Sequence, residues 1–297
     1  MARPRVHSPA PAGPLRLRAE LTRTLAALER EIDQGFGHSI LTPEDVHDLH
    51  RDLRRLASGM MVWERLVSPR RTPEVHEATQ RLRRLARLVG RVRDRDVTSM
   101  LLSPERAPPG APEGSPAWNA FLGRLREDTH TGRELLRAFL RTEREGGLFD
   151  RVRRLLEFDP RADAGRGLLS ILADERRRRQ GRVRKAHRKA RRDPTSERLH
   201  RLRIRIRQWR QFSALETASR AVAHQPPPPS WRRLQARLGT LHDLDVTLST
   251  IPDELLDADP ALRLRTRRRK LRRSVRATLE EIAARPVRAT ARARRAA

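Results

Sequence analysis

Apolar residues in this chain recur at steps of three and four, and no stretch alternates. Val46, Leu49, Leu53, Leu56, Met60 and Trp63 form the cleanest run. Such steps place side chains on one face of a 3.6-residue helix, whereas a half-buried strand needs a period of two. The same spacing joins Leu17, Leu21, Leu25, Leu28 and Ile32, and later Leu199, Leu202, Ile206, Trp209 and Phe212. The chain therefore reads as all-α. With four Trp, six Phe and no Tyr, its core must be built from Leu, Val, Ile and Ala. That inventory suits helix-on-helix packing better than sheets.

Proline and capping residues set the element boundaries. Residues 1–14 are Pro-rich and are expected to be disordered; the helical pattern starts at Leu15 and stops at Gly35 and Gly37. Thr42-Pro43-Glu44-Asp45 is a helix start, with a cap, a proline at the first position and acids in the first turn. That helix is expected to end near Ser68-Pro69, and another to follow Thr72-Pro73-Glu74. Pro-rich sequence from 103 to 116 precedes helical segments at about 117–145 and 147–158. A second half begins near Asp159-Pro160 with a helix that turns strongly basic at Arg176. Asp193-Pro194-Thr195-Ser196-Glu197 starts the next helix, Ser230 is the expected cap of another, and a last one runs over about 261–284. The expected layout is thus a first unit at 15–158, a second at 159–285 and a basic tail at 286–297.

Charge narrows the function. Lys plus Arg number 66 against 37 Asp plus Glu, a net charge of +29. An excess of this size repels itself unless a polyanion offsets it. Arginine dominates, and its planar fork matches phosphate oxygens two at a time. Absence of Cys excludes disulfide and thiolate chemistry. No apolar run of about 18 residues exists to span a membrane. The N-terminus lacks the apolar stretch of a signal peptide, so a cytoplasmic location is expected.

The two halves resemble each other. VHDLHRDLRR (46–55) aligns with LHRLRIRIRQ (199–208) at an offset of 153, and LVGRVRDRDV (88–97) aligns with RLGTLHDLDV (237–246) at 149. Two matches in one order at nearly one offset point to a duplicated helical bundle with an approximate two-fold axis. His47, His50 and Arg54 fall at i, i+3 and i+7, as do His200, Arg203 and Arg207. Each set is one helical stripe beside an apolar seam. Arg51, Arg55, Arg205 and Arg210 are expected to widen those faces.

The histidines admit other readings. His47 and His50 with Asp48 and Asp52 could hold a metal, but Asp48 lies about 100° from His47 on the helical wheel. The cationic neighbours also disfavour a divalent ion, and the second half carries Arg203 in place of His50. Acid–base catalysis would need a paired acid, a nucleophile beside a base or a Gly-rich phosphate loop, and the sequence offers none of them. A histidine satisfied at a helix interface is the remaining alternative. No catalytic residue, metal or cofactor is expected. Asp94, Asp96, Asp243 and Asp245 are expected to do structural work, orienting guanidinium groups or capping a turn.

These motifs resemble the CHAD domain, the conserved-histidine α-helical domain family. Its signature is a histidine followed three residues on by a basic residue and then by basic residues at about seven and eight. The second half matches at His200, Arg203 and Arg207, with Gln208 where a further basic residue is common. The first matches at His47, Arg54 and Arg55 and departs at His50, where arginine is usual. Asp94, Asp96, Asp243 and Asp245 stand at the family's acidic positions. The resemblance covers about residues 12–285. It implies two helical bundles, pseudo-two-fold related, around a basic central groove or pore. It also implies a ligand, long-chain inorganic polyphosphate, and an association with polyphosphate granules. Some members carry a fused triphosphate-processing domain; here the CHAD unit fills the chain.

The residues support that ligand. Polyphosphate carries about one charge per phosphate and no bases, so a binder needs dense cations and little aromatic surface. The stretch 176–192 holds eleven Lys or Arg, and 262–276 holds nine. Like charges at i, i+4 cost roughly 0.2–0.5 kcal/mol per pair, a repulsion an anion would offset. A solvated basic face is the bland alternative. The expected contacts are His47, His50, Arg51, Arg54 and Arg55 from the first half, and His200, Arg203, Arg207 and Arg210 from the second. Arg178, Arg182, Lys185 and Lys189 join them from one stripe of the basic helix. Non-specific nucleic-acid binding is the alternative function, disfavoured by the scarcity of stacking aromatics. His50 in place of arginine predicts weaker binding by its half above pH 7 than below pH 6.

Overall fold

The computed structural model describes residues 12–37, 41–103, 115–158, 164–219 and 227–284. Among them every regular element is helical: α1 (Ala12–Gly37), α2 (Pro43–Trp63), α3 (Thr72–Leu102), α4 (Pro116–Glu145), α5 (Leu148–Glu157), α6 (Ala164–Arg192), α7 (Ser196–Ser219), α8 (Pro229–Thr250) and α9 (Asp259–Ala284), with one 3₁₀ turn at Asp253–Leu255. The segment 1–11 and the basic tail 286–297 lie outside the described residues.

Local chemistry explains most boundaries. Thr42 N–H donates to Asp45 Oδ2 at 2.8 Å, and Asp45 N–H donates to Thr42 Oγ1 at 3.1 Å. This reciprocal box satisfies two amides that would otherwise be orphaned at the start of α2. Ser115 caps α4 from one side, accepting from Trp118 N–H at 3.2 Å. Three expectations shift. Helix α1 starts at Ala12, so residues 12–14 are helical rather than disordered. Helix α2 stops at Trp63, five residues before Ser68, and passes into a turn. Ser230 is not a cap: Pro228 holds that position and Pro229 begins α8, because a proline needs no N–H partner at the first helical residue.

Three apolar clusters hold the helices together. The first combines Leu21, Leu25, Leu49, Leu53, Leu56, Trp63, Leu82, Val89 and Val152 from α1, α2, α3 and α5. Trp63 is wholly buried, and its indole N–H donates to Leu155 O at 2.9 Å, tying the end of α2 to α5. The second gathers Val183, Leu202, Ile206, Trp209, Trp231, Leu238 and Leu279 from α6 to α9. The third joins Trp118, Phe121 and Leu125 of α4 to Leu244 and Leu264 of α8 and α9. Each buried leucine contributes roughly 1.5–3 kcal/mol.

The boundary near residue 159 does not divide the core. Leu168, Leu172, Phe212 and Leu215 from α6 and α7 pack into the first cluster. Helix α3 packs against α8, and α2 against α7. These crossings bring the two basic stripes face to face.

Candidate functional site

Where α2, α3, α6, α7 and α8 converge, they enclose a cavity of about 520 Å³. Helix α2 lines it with His50, Arg54 and Ser58 at steps of four, and α7 with His200, Arg203, Arg207 and Gln211 at steps of three and four. These are the positions beside each apolar seam, so burial of the leucines points the stripes inward. Helix α3 adds Arg83, Arg87, Arg91, Arg93 and Asp94, α6 adds Glu175, Arg179 and Arg182, and α8 adds His242.

Cations crowd this space with few counter-charges. Burial, then Arg203 and Arg93, pushes Arg54 down to about 10. Arg207 falls to about 9 through burial and then Arg54, Arg203 and Arg93, against the opposing pull of Asp94. Burial also lowers Arg203, with Asp243 and Asp94 opposing. The guanidinium groups stay charged at neutral pH, and the downward push reflects how unfavourable their mutual confinement is. Among the described residues, Arg207 Nε is buried and has no hydrogen-bond partner, and Arg54 reaches only Gln211 Oε1, at 3.5 Å. Buried charged donors in this state cost free energy unless an acceptor arrives.

Three histidines line the same space. Burial and then Arg54 push His50 down to about 3, and burial and then Arg203 do the same to His242. Burial also lowers His200, with Arg203 next among the causes. His200 Nδ1 and His242 Nδ1 are 3.1 Å apart, so one donates and the other accepts. With its value near 3, His50 is neutral at both pH 6 and pH 7 in the unliganded protein, so the expected pH dependence of binding requires a ligand that raises that value.

Six of the expected contacts meet here: His50, Arg54, Arg182, His200, Arg203 and Arg207. Lys185 and Lys189 line an adjoining hollow. The other five lie outside both. His47 is exposed, although its charge is felt by His50. Arg51 is held by Asp48 at 2.6 Å, Asp52 at 2.8 Å and Glu31 at 3.1 Å. Arg55 is bound to Glu20, Arg210 donates to Gln235 at 2.7 Å, and Arg178 is exposed. Arg51 and Arg55 therefore do not widen the cavity face; they fasten α2 to acids of α1.

Sequence reasoning misses the α3 arginines, although Arg83, Arg87 and Arg91 recur at steps of four and form a visible stripe. His242 is also missed, although the 149-residue offset aligns it with Arg93. The acids behave as expected in part. Asp96 accepts from Arg133 of α4 at 2.6 Å and Asp245 from Arg268 of α9 at 2.5 Å, each orienting a guanidinium. Asp94 instead lines the cavity, 3.7 Å from Arg93.

The family model described as the CHAD domain matches residues 19–252. The chain belongs to the CHAD domain family. Its structure is similar to the crystal structure of the CHAD domain from the plant Ricinus communis, with a TM-score of 0.57 and 17% identity over 90% of this chain and 91% of that one. That likeness is one of fold. No curated protein matches the chain. Two of the five helices that line the basic cavity of this CHAD domain, α2 and α7, carry the paired motifs at 46–55 and 199–208. Among the described residues no helix is long and apolar enough to cross a membrane.

Proposed function

We propose that this CHAD domain binds long-chain inorganic polyphosphate in the cavity between α2, α3, α7 and α8, without turning it over. The observation that carries this reading is Arg207, whose buried Nε lacks a partner while Arg54, Arg93 and Arg203 press on it. A chain of phosphates supplies closely spaced acceptors without bulky groups, which suits a cavity with no aromatic ring in its lining apart from histidines. The two halves are read as duplicated units about an axis through this cavity. Residues related by the motif offsets lie near enough to feel each other's charge: Arg54 lowers Arg207, 153 residues on, and Asp94 raises Asp243, 149 residues on. Near a two-fold axis, equivalent positions meet their own counterparts. Binding of this kind would draw the protein to polyphosphate granules in the cytoplasm.

The test is a competition at fixed salt between graded polyphosphate chains and duplex DNA or RNA. Long polyphosphate should win at equal charge. Equal or tighter nucleic-acid binding would replace this reading with the nucleic-acid one. Incubation with polyphosphate and a divalent metal should leave chain length unchanged; released phosphate would make the protein an enzyme.

A further inference from the structure

The central cavity has a neighbour. A hollow of about 620 Å³ lies between the C-terminal half of α6 and the start of α7. Arg182 and Arg205 line both spaces, so the two adjoin at this pair of arginines. Along α6 the hollow is edged by Arg182, Lys185, Lys189 and Arg192, at steps of three, four and three. The stripe spans ten residues, or about 15 Å of helix.

These four side chains differ from the α7 cations that share the hollow. On the α7 side Arg198 is held by Asp193 at 2.6 Å and Arg201 by Glu197 at 2.5 Å. Arg182, Lys185, Lys189 and Arg192 have no hydrogen-bond or ion-pair partner among the described residues. On the first half, α2 offers no matching track, and the remaining arginines of the lining that are free among the described residues, Arg87 and Arg91, belong to α3. The outward arginines of α2, Arg51 and Arg55, are neutralised by Glu31 and Glu20 of α1. Free positive charge therefore continues out of the cavity on the α6 side, while the α1–α2 side is closed electrostatically by its own acids.

We propose that a polyphosphate chain seated in the cavity leaves it past Arg182 and Arg205, onto the Lys185–Lys189–Arg192 stripe. This rests on the polyphosphate reading and adds that affinity for long chains is set by α6, outside the cavity. A short oligomer occupies the cavity alone; a longer one gains the stripe.

The experiment compares tripolyphosphate with long-chain polyphosphate at fixed salt. It uses the full chain, the triple variant Lys185→Gln, Lys189→Gln, Arg192→Gln, and a charge-matched triple on α9, Arg263→Gln, Arg267→Gln, Lys270→Gln. The α6 triple should weaken long-chain binding by about tenfold or more and lower the salt exponent by about two to three, the scale for three lost phosphate contacts. Tripolyphosphate binding should stay within about twofold, and the α9 triple should leave both ligands within about twofold. Equal losses from the α6 and α9 triples would reduce the effect to net charge and overturn the proposal. So would an α6 triple that weakens both ligands alike, or neither. A parent chain that binds neither ligand would instead overturn the polyphosphate reading itself.

Discussion

Thr98 Oγ1 and Thr247 Oγ1 lie 3.5 Å apart, buried at the crossing of α3 and α8. They are 149 residues apart, the offset that aligns the second pair of motifs, so the crossing sits where the proposed axis would run. Their bonding is unequal. Thr98 also donates to Asp94 O at 3.0 Å, whereas among the described residues the Thr247 hydroxyl has only Thr98. Thr98→Val should strand the Thr247 hydroxyl and cost about 1–3 kcal/mol in urea unfolding. Thr247→Val should cost less, and the double variant no more than Thr98→Val alone. Additive losses would mean that the two hydroxyls act independently.

The crowded arginines imply a trade between stability and binding. Arg207 has no partner for Nε and is pressed by three guanidinium groups. Arg207→Gln should raise the Tm of the unliganded protein by about 2–4 °C, the size expected from removing roughly 1 kcal/mol of repulsion. It should also weaken polyphosphate binding by about tenfold to a hundredfold, the worth of a charge-assisted contact. A variant that loses both stability and binding would make Arg207 a structural residue.

Helices α1 and α2 approach closely at Gly59, where an added Cβ would overlap the Cδ2 of the wholly buried Leu21. Gly59→Ala gains up to about 1 kcal/mol of helix propensity, but overpacking typically costs about 1–3 kcal/mol. The net effect should be a loss of stability that shrinks or vanishes when Gly59→Ala is compared with its parent in a Leu21→Ala background. An unchanged Tm for Gly59→Ala would show that Leu21 repacks freely.

Legibility in the sequence followed the range of the forces involved. Helix α2 was readable because Thr42, Asp45 and the Val46-to-Trp63 spacing act within a few residues of one another. The inward turn of Arg54, Arg203 and Arg207 was readable because helix geometry fixes where i, i+3 and i+7 point relative to a leucine seam. The fate of Arg51 and Arg55 was not. Both sit on the same helix as Arg54, yet their partners Glu31 and Glu20 come from α1, and only packing decides which arginine meets an acid. The contribution of α3 was obscured for a different reason. The spacing of Arg83, Arg87 and Arg91 is the same for a solvated face as for one that lines a cavity, and only the packing of the other helices decides between them.

Proton uptake should accompany binding. His50 faces Arg54 on its own helix, Arg93 on α3 and Arg207 on α7; His242 faces Arg203, His200, Arg207 and Arg93. Free, each is pushed to about 3. A bound polyanion offsets the surrounding charge and raises both values. Between the free and bound values the complex holds more protons than the free protein, so affinity should climb as pH falls through the bound value and level off near 3. Calorimetry at pH 6 in buffers of different ionisation enthalpy should report net proton uptake, reduced in His50→Arg and in His242→Gln. Buffer-independent enthalpies would mean the histidines stay neutral beside the ligand. Without ligand the sign reverses: the unfolded chain binds these protons first, so stability should fall as pH drops below about 6.5. Polyphosphate should therefore raise Tm more at pH 5.5 than at pH 7.5, and an equal rise at both would count against the three cavity histidines as proton acceptors.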